Sequence, residues 1–137
     1  MSTESTRRRE YYQQREREMA EQGPPRVLVG FLKKKSRREV AGRHVWQRRL
    51  WALDTESITC FKRNDPTMVG YQIPLWSVIA VKAFPDSKAD GCRFDIVTGD
   101  METWSLMAAT KEMRDEWVAE IRSLSKKQAS KMLDWYT

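Results

Sequence analysis

The sequence predicts a mainly β protein in which seven short antiparallel strands form a bent sandwich or barrel closed by one C-terminal amphipathic helix. Short alternating or apolar segments are separated by turn-forming residues, which is typical of such a sheet. Near the C-terminus the apolar period changes to that of a helix. Every Leu, Ile, Val and Phe except Leu133 lies between Val27 and Leu124. We therefore expect one core of about 100 residues, a size that folds alone.

The N-terminal segment is expected to lie outside this core. Residues 3–22 hold five Arg and five Glu but almost no aliphatic side chains. These residues favour a helix, yet no apolar stripe would hold that helix on a core. We predict a polar tail or frayed helix over 1–25, interrupted by glycine and two prolines at its end. The folded domain is predicted at 26–125, and residues 126–137 extend the last helix or form a tail.

Seven segments have the pattern of β-strands. The first places Val27, Val29 and Phe31 on one face, and the second places Gln47 and Arg49 on a shared face. Asn, Asp, Gly and Pro between the segments predict turns. The predicted strands are 27–34, 45–53, 57–62, 71–75, 78–83, 92–98 and 101–108, with longer loops at 36–43 and 85–91.

The last element has a helical period. Met113, Trp117, Ile121 and Leu124 are spaced as one stripe of a 3.6-residue helix. Thr110 is a suitable N-cap, although the capping box is incomplete because Met113 occupies its third position. This stripe is predicted to cover an open end or face of the sheet.

The positive charge is concentrated in one segment. The chain has 25 Lys and Arg against 19 Asp and Glu, which makes a net charge of +6. Eight of the basic residues and only one acid, Glu39, lie between Lys33 and Arg49, so the rest of the chain is nearly neutral. A local basic segment is typical of a surface that docks anions. Membranes, nucleic acids and acidic proteins all remain possible partners at this point.

Other function classes have little support. His44 is the only histidine and is predicted to lie on the surface, while Cys60 and Cys92 lack the spacing of metal ligands. The sequence has no glycine-rich phosphate loop, no secretory signal and no apolar run of the length that spans a bilayer. We therefore expect no catalytic residues, no metal and no cofactor. The chain is expected to be cytoplasmic and peripherally associated with membranes.

The elements in this order resemble a pleckstrin homology (PH) domain. The resemblance covers about Val27 to Ser125 and rests on motifs in two strands, the middle of the chain and the closing helix. These motifs are Gly30-Phe31-Leu32-Lys33-Lys34, Trp46 to Leu53, Ile73-Pro74-Leu75 and Glu116-Trp117-Val118. The resemblance implies two nearly orthogonal antiparallel sheets, of four and three strands. The helix tryptophan is then expected to pack into one end of the barrel.

The resemblance also implies a phosphoinositide site at the open end of the barrel. Lys34 and Arg49 match the family's Lys late in the first strand and Arg in the second strand. Gln47 replaces a basic residue of that pattern, and Cys60 replaces an aromatic residue of the third strand. We predict that the chain docks to anionic, phosphoinositide-containing membranes. The other predicted phosphate-binding residues lie on the first strand and the following loop: Lys33, Lys35, Arg37, Arg38 and Arg43.

The main alternative is a protein-interaction or scaffold module of the same fold with weak or no lipid binding. Its partner would bind along the edge of the fifth strand and the helix, where Trp76, Phe84 and Tyr71 are candidate exposed aromatics. Nucleic acid is a third alternative, because arginine-rich loops bind phosphates of any origin. The aromatic residues are, however, predicted in the core and not on a stacking platform. A basic loop that binds nothing is the fourth.

Overall fold

The computed structural model describes residues 3–39, 41–85 and 91–136, so most of the predicted loop at 85–91 lies outside the described residues. Within these residues the chain forms seven strands and two α-helices. They are α1 (Thr3–Gln22), β1 (Arg26–Lys35), β2 (Trp46–Asp54), β3 (Ser57–Phe61), β4 (Val69–Pro74), β5 (Val78–Phe84), β6 (Arg93–Thr98), β7 (Thr103–Met107) and α2 (Lys111–Tyr136), with 3₁₀ turns at Lys62–Asn64 and Leu75–Ser77.

The strands form one antiparallel sheet in the order β4-β3-β2-β1-β7-β6-β5. Strands β1 to β4 make one meander and β5 to β7 make a second. The two meanders join where Lys33 pairs with Met107 and Lys34 pairs with Leu106. The predicted fold class of seven antiparallel strands followed by a closing helix is confirmed.

The predicted bounds of two strands were wrong: β7 begins later than predicted because the turn before it extends past Met101, whereas β4 begins earlier than predicted. Strand β7 begins at Thr103, since the Met101 N–H donates to Thr98 O and Met101 has a φ of 65°. Strand β4 begins at Val69 and ends at Pro74, where the 3₁₀ turn follows.

The alternation of β1 is as predicted, but its more apolar face points outward. Val27, Val29 and Phe31 are exposed, Val29 by 52%. On the opposite face Leu32 lies in the core, and Lys34 is only 9% exposed. Because side chains alternate along a strand, burial of Leu32 carries Lys34 to the inner side of the barrel.

Helix α2 closes the barrel through the predicted stripe. Trp117, Ile121 and Leu124 are buried in the core, and α2 packs against β5 and the 3₁₀ turn before it. The Thr110 N-cap is confirmed, since the Met113 N–H donates to its Oγ1 at 3.1 Å. The helix continues unbroken to Tyr136.

Helix α1 ends where Gly23 adopts a φ of 80°, a left-handed conformation that glycine takes without strain. Two prolines then separate it from β1. No helix among the described residues is both long and apolar enough to cross a membrane.

Candidate anion-binding site

The two residues predicted at the centre of the site share the inner face of the β1–β2 pair. Lys34 lies directly opposite Gln47, and Leu32 lies opposite Arg49. Arg49 is therefore the diagonal neighbour of Lys34, a relationship that places Cβ atoms about 7–8 Å apart or less. Two long cationic side chains at this separation can contact the same anion.

The Lys34 ammonium is enclosed by two aromatic rings from opposite meanders. Its Nζ lies 4.1 Å from the ring centroid of Tyr71 on β4 and 5.0 Å from that of Trp104 on β7. The two rings contact each other edge to face, with centroids 5.6 Å apart. Cation–π attraction therefore holds the ammonium at the end of the barrel beside the β1–β2 loop. We call the group of Lys34, Arg37, Arg49, Tyr71 and Trp104 the mouth.

The surroundings of Lys34 lower its pKa. Burial is the largest cause that lowers the pKa of Lys34, and Arg37 and Arg49 lower it further by repulsion. Cys60 and Glu102 act in the opposite direction. Burial in turn raises the pKa of the Cys60 thiol. A bound anion would offset the free-energy cost of burying the charged Lys34 and the repulsion from Arg37 and Arg49.

Gln47, which replaces a basic residue of the family pattern, positions Arg49. Its Nη2 donates to Gln47 Oε1 at 3.2 Å, and its Nη1 donates to the Arg48 carbonyl at 3.3 Å. The side chain is half-buried. Gln47 thus replaces a cation with a hydrogen-bond acceptor that orients the neighbouring guanidinium.

Arg37 reaches the mouth from the β1–β2 loop. Its guanidinium lies 4.2 Å from the Trp104 ring centroid and forms two hydrogen bonds with the Glu102 carboxylate, at 3.0 and 3.3 Å. The base of the loop is closed by Ser36, whose N–H donates to Val45 O while its Oγ accepts from the Val45 N–H. Arg37 is therefore held at the mouth by contacts that the sequence did not indicate.

The remaining predicted cations do not converge on Lys34. Lys33 and Lys35 alternate with it and lie on the outer face, where Lys33 pairs with Arg48. Arg38 and Arg43 are exposed in the loop. These four side chains are arranged for general attraction of anions and do not form part of one cluster.

Sequence reasoning missed Tyr71 as a residue of the mouth. Tyr71 is 49% exposed, as predicted, but it lies on β4 directly opposite Cys60, where its ring contacts the Lys34 ammonium. The aromatic ring expected on the third strand is thus supplied by the neighbouring strand. Alternation within β4 gives no signal for this position, because it depends on the register between β3 and β4.

The β5 edge, where the alternative hypothesis places a protein partner, is partly occupied by Arg122. Arg122 of α2 donates two hydrogen bonds to the carbonyl of Val81 on the edge strand β5, at 2.7 and 3.2 Å. Phe84 is half-buried with Arg93 4.8 Å from its ring centroid, whereas Trp76 is 62% exposed. A strand that pairs with β5 would have to compete with Arg122 for this carbonyl.

Comparisons with known proteins identify the fold independently of the site. The C-terminal PH domain of pleckstrin in complex with D-myo-Ins(1,2,3,5,6)P5 is 24% identical, with 75% of this chain and 98% of that chain covered and a TM-score of 0.62. The N-terminal PH domain of human ARAP2 is 22% identical, with 74% and 81% covered and a TM-score of 0.58. The Slm1 PH domain in complex with phosphoserine is 15% identical, with 74% and 96% covered and a TM-score of 0.62.

The search of curated proteins found no match. The family model of the PH domain, in contrast, matches residues 26–126, which is well over half of the chain. With seven antiparallel strands closed by α2, the protein belongs to the PH domain family, whose members are lipid- or protein-binding modules.

Proposed function

We propose that this PH domain binds phosphoinositide headgroups of anionic membranes through the cations of its mouth. The observation that carries the proposal is that Lys34 and Arg49 project from neighbouring strands onto one inner face, at an end of the barrel that Arg37 also reaches. A phosphomonoester carries close to two negative charges and several strong acceptors. An arginine fork and a lysine point charge together match that chemistry.

Two of the similar PH domains have phosphate-bearing ligands in their structures, an inositol pentakisphosphate and phosphoserine. These ligands support an anionic phosphate compound as the chemical class for this chain. The outer and loop cations would add attraction to an anionic leaflet at about 1 kcal/mol each near its surface. Binding is therefore expected to be peripheral and sensitive to salt.

Vesicle sedimentation tests the proposal. Phosphatidylcholine vesicles are compared with vesicles that also contain phosphatidylinositol bisphosphate, at low and high salt. We expect wild type to bind the second kind preferentially. Lys34→Ala/Arg49→Ala should lose about a hundredfold or more in affinity, since each of the two charge-assisted hydrogen bonds contributes about 1.5–3 kcal/mol. Lys126→Ala/Lys127→Ala removes the same charge from exposed positions of α2 and should retain binding.

The proposal fails if wild type binds the phosphoinositide vesicles no better than neutral ones at low salt. It also fails if the two double variants lose binding equally, because net charge and not the mouth would then determine affinity. Thermal unfolding of both variants shows whether their folds are intact.

One observation favours protein binding as the second candidate. Trp76 and Ile79 are strongly exposed beside a groove of about 460 Å³ that also contacts Trp104 of the mouth. Large exposed apolar side chains of this kind are typical of interaction surfaces. If vesicle binding is absent, this groove becomes the leading site, and Trp76→Ala is the variant with which to test it against partner proteins.

A further inference from the structure

The Arg37 side chain of the mouth already has an anionic partner. Nη2 of Arg37 lies 3.0 Å from Glu102 Oε2, and Nη1 lies 3.3 Å from Oε1, so the carboxylate occupies the guanidinium fork with both oxygens. A phosphate presents its oxygens to arginine with the same two-point geometry. The Glu102 carboxylate therefore stands where a phosphate bound to Arg37 would place its oxygens.

The backbone of Glu102 is anchored in the β6–β7 turn. Its N–H donates to Asp100 Oδ1 at 3.2 Å, and its carbonyl accepts from the Thr98 N–H at 3.0 Å. Thr98 Oγ1 also donates to Asp100, which lowers the pKa of that carboxyl and keeps it an acceptor. Because the turn is held in this way, a carboxylate displaced from Arg37 would remain beside the mouth.

The charge of Glu102 also acts on the central cation. Glu102 is among the groups that raise the pKa of Lys34, whereas Arg37 lowers it. Glu102 therefore offsets part of the positive field that an incoming anion would meet. Both side chains of the ion pair are about half exposed, so the pair is weak enough to exchange partners.

We propose that Glu102 is an internal anion that competes with phosphate for Arg37 and thereby limits the affinity of the mouth. This inference rests on the proposed function and adds an affinity-determining residue to the same site. A phosphate that engages Arg37 must first displace the carboxylate, and the displaced carboxylate then repels the ligand. Removal of the Glu102 charge should strengthen binding, although a carboxylate beside a basic site would ordinarily be taken as a stabilising partner.

The test compares Glu102→Gln with wild type and with Glu56→Gln on vesicles containing phosphatidylinositol bisphosphate. Both substitutions raise the net charge by one, but Glu56 is exposed in the β2–β3 turn, whereas the mouth lies beside the β1–β2 loop and the β6–β7 turn. We expect Glu102→Gln to bind up to about fivefold more tightly at low salt, the upper end of the range for an exposed ion pair. The gain should shrink at high salt, and Glu56→Gln should remain close to wild type.

Each outcome bears on the inference separately from the proposed function. If wild type binds and folded Glu102→Gln binds equally or more weakly, the inference is wrong and the proposed function stands. If Glu56→Gln gains as much as Glu102→Gln, net charge is the cause and the inference is again wrong. If only Glu102→Gln binds, the inference is correct, but the proposed function of the wild-type protein is wrong. If neither binds, both are wrong.

Discussion

The Lys34 ammonium lies 4.1 Å from the ring centroid of Tyr71, so the central cation of the mouth is enclosed by an aromatic residue of β4. The aromatic side chain holds the ammonium in one place without neutralising it, and the lysine is thus positioned before any ligand arrives. The same enclosure removes Lys34 from water, which lowers its pKa. Ligand binding at the mouth should therefore depend on the protonation of this lysine.

Phosphoinositide binding is expected to weaken as the pH rises through the lowered pKa of Lys34. Below that pKa the ammonium is charged and the affinity does not change with pH. Above it, the Lys34 amine must take up a proton when the ligand binds, so the affinity falls. The phosphate adds no further charge in this range, because its second pKa is about 6. Vesicle binding measured between about pH 7 and 10 tests this. Lys34→Arg should flatten the profile, since arginine stays protonated, and an unchanged profile would assign the pH dependence to another group.

Gln47→Lys should bind phosphoinositide vesicles more tightly than wild type. The new ammonium would lie opposite Lys34 and beside Arg49, so we expect a gain of about 1–2 kcal/mol in binding free energy. Stability should fall in the absence of ligand, because like charges opposite each other repel. Vesicle sedimentation and urea denaturation measure the two effects. Thr55→Lys adds the same charge in the β2–β3 turn and is the control.

Trp117→Ala should reduce the free energy of unfolding by about 3–5 kcal/mol, as expected for truncation of a buried aromatic. Trp117 is 3% exposed and packs near Gly30 of β1, where an added Cβ would lie 3.9 Å from its ring. Chemical denaturation gives the change directly. Trp76→Ala is the control. Its side chain is largely exposed, so truncation should lower the free energy of unfolding only slightly. A loss below about 1 kcal/mol for Trp117→Ala would contradict its role in closing the barrel.

Deletion of residues 1–22 should leave the melting temperature of the remaining chain nearly unchanged. The segment is helical from Thr3 but has no apolar stripe in its sequence. We expect a shift below about 4 °C, the smallest change that a loss of 1 kcal/mol produces in a domain of this size. Differential scanning calorimetry of both chains measures it. A drop of many degrees would show that α1 is part of the folded domain.

Much of the fold followed from local chemistry. The change from a period of two to one of 3.6 located α2 and its buried stripe, and Thr110 marked where the helix begins. Strand ends were less accurate at two places. Met101 lies in a turn, where its N–H donates to Thr98 O and its φ is positive, and Leu75 begins a 3₁₀ turn. The family resemblance predicts Lys34 and Arg49 as phosphate-binding residues. The structure places them on one face of the β1–β2 pair, and their binding of phosphate stays a prediction.

The sequence alone predicts which side chains share a strand face, such as Gln47 with Arg49, because alternation is a local property of an extended chain. Which face of β1 points inward depends instead on packing against the rest of the domain. Lys34 lies inside although Val29 is the more apolar residue, since the opposite arrangement would remove Leu32 from the core.

The tertiary structure alone also brought Tyr71 and Trp104 to Lys34, and Glu102 to Arg37, 65 residues away along the chain. These contacts depend on strand register and on the pairing of β1 with β7 that joins the two meanders. Both are set by packing between distant segments, which no local pattern of residues encodes.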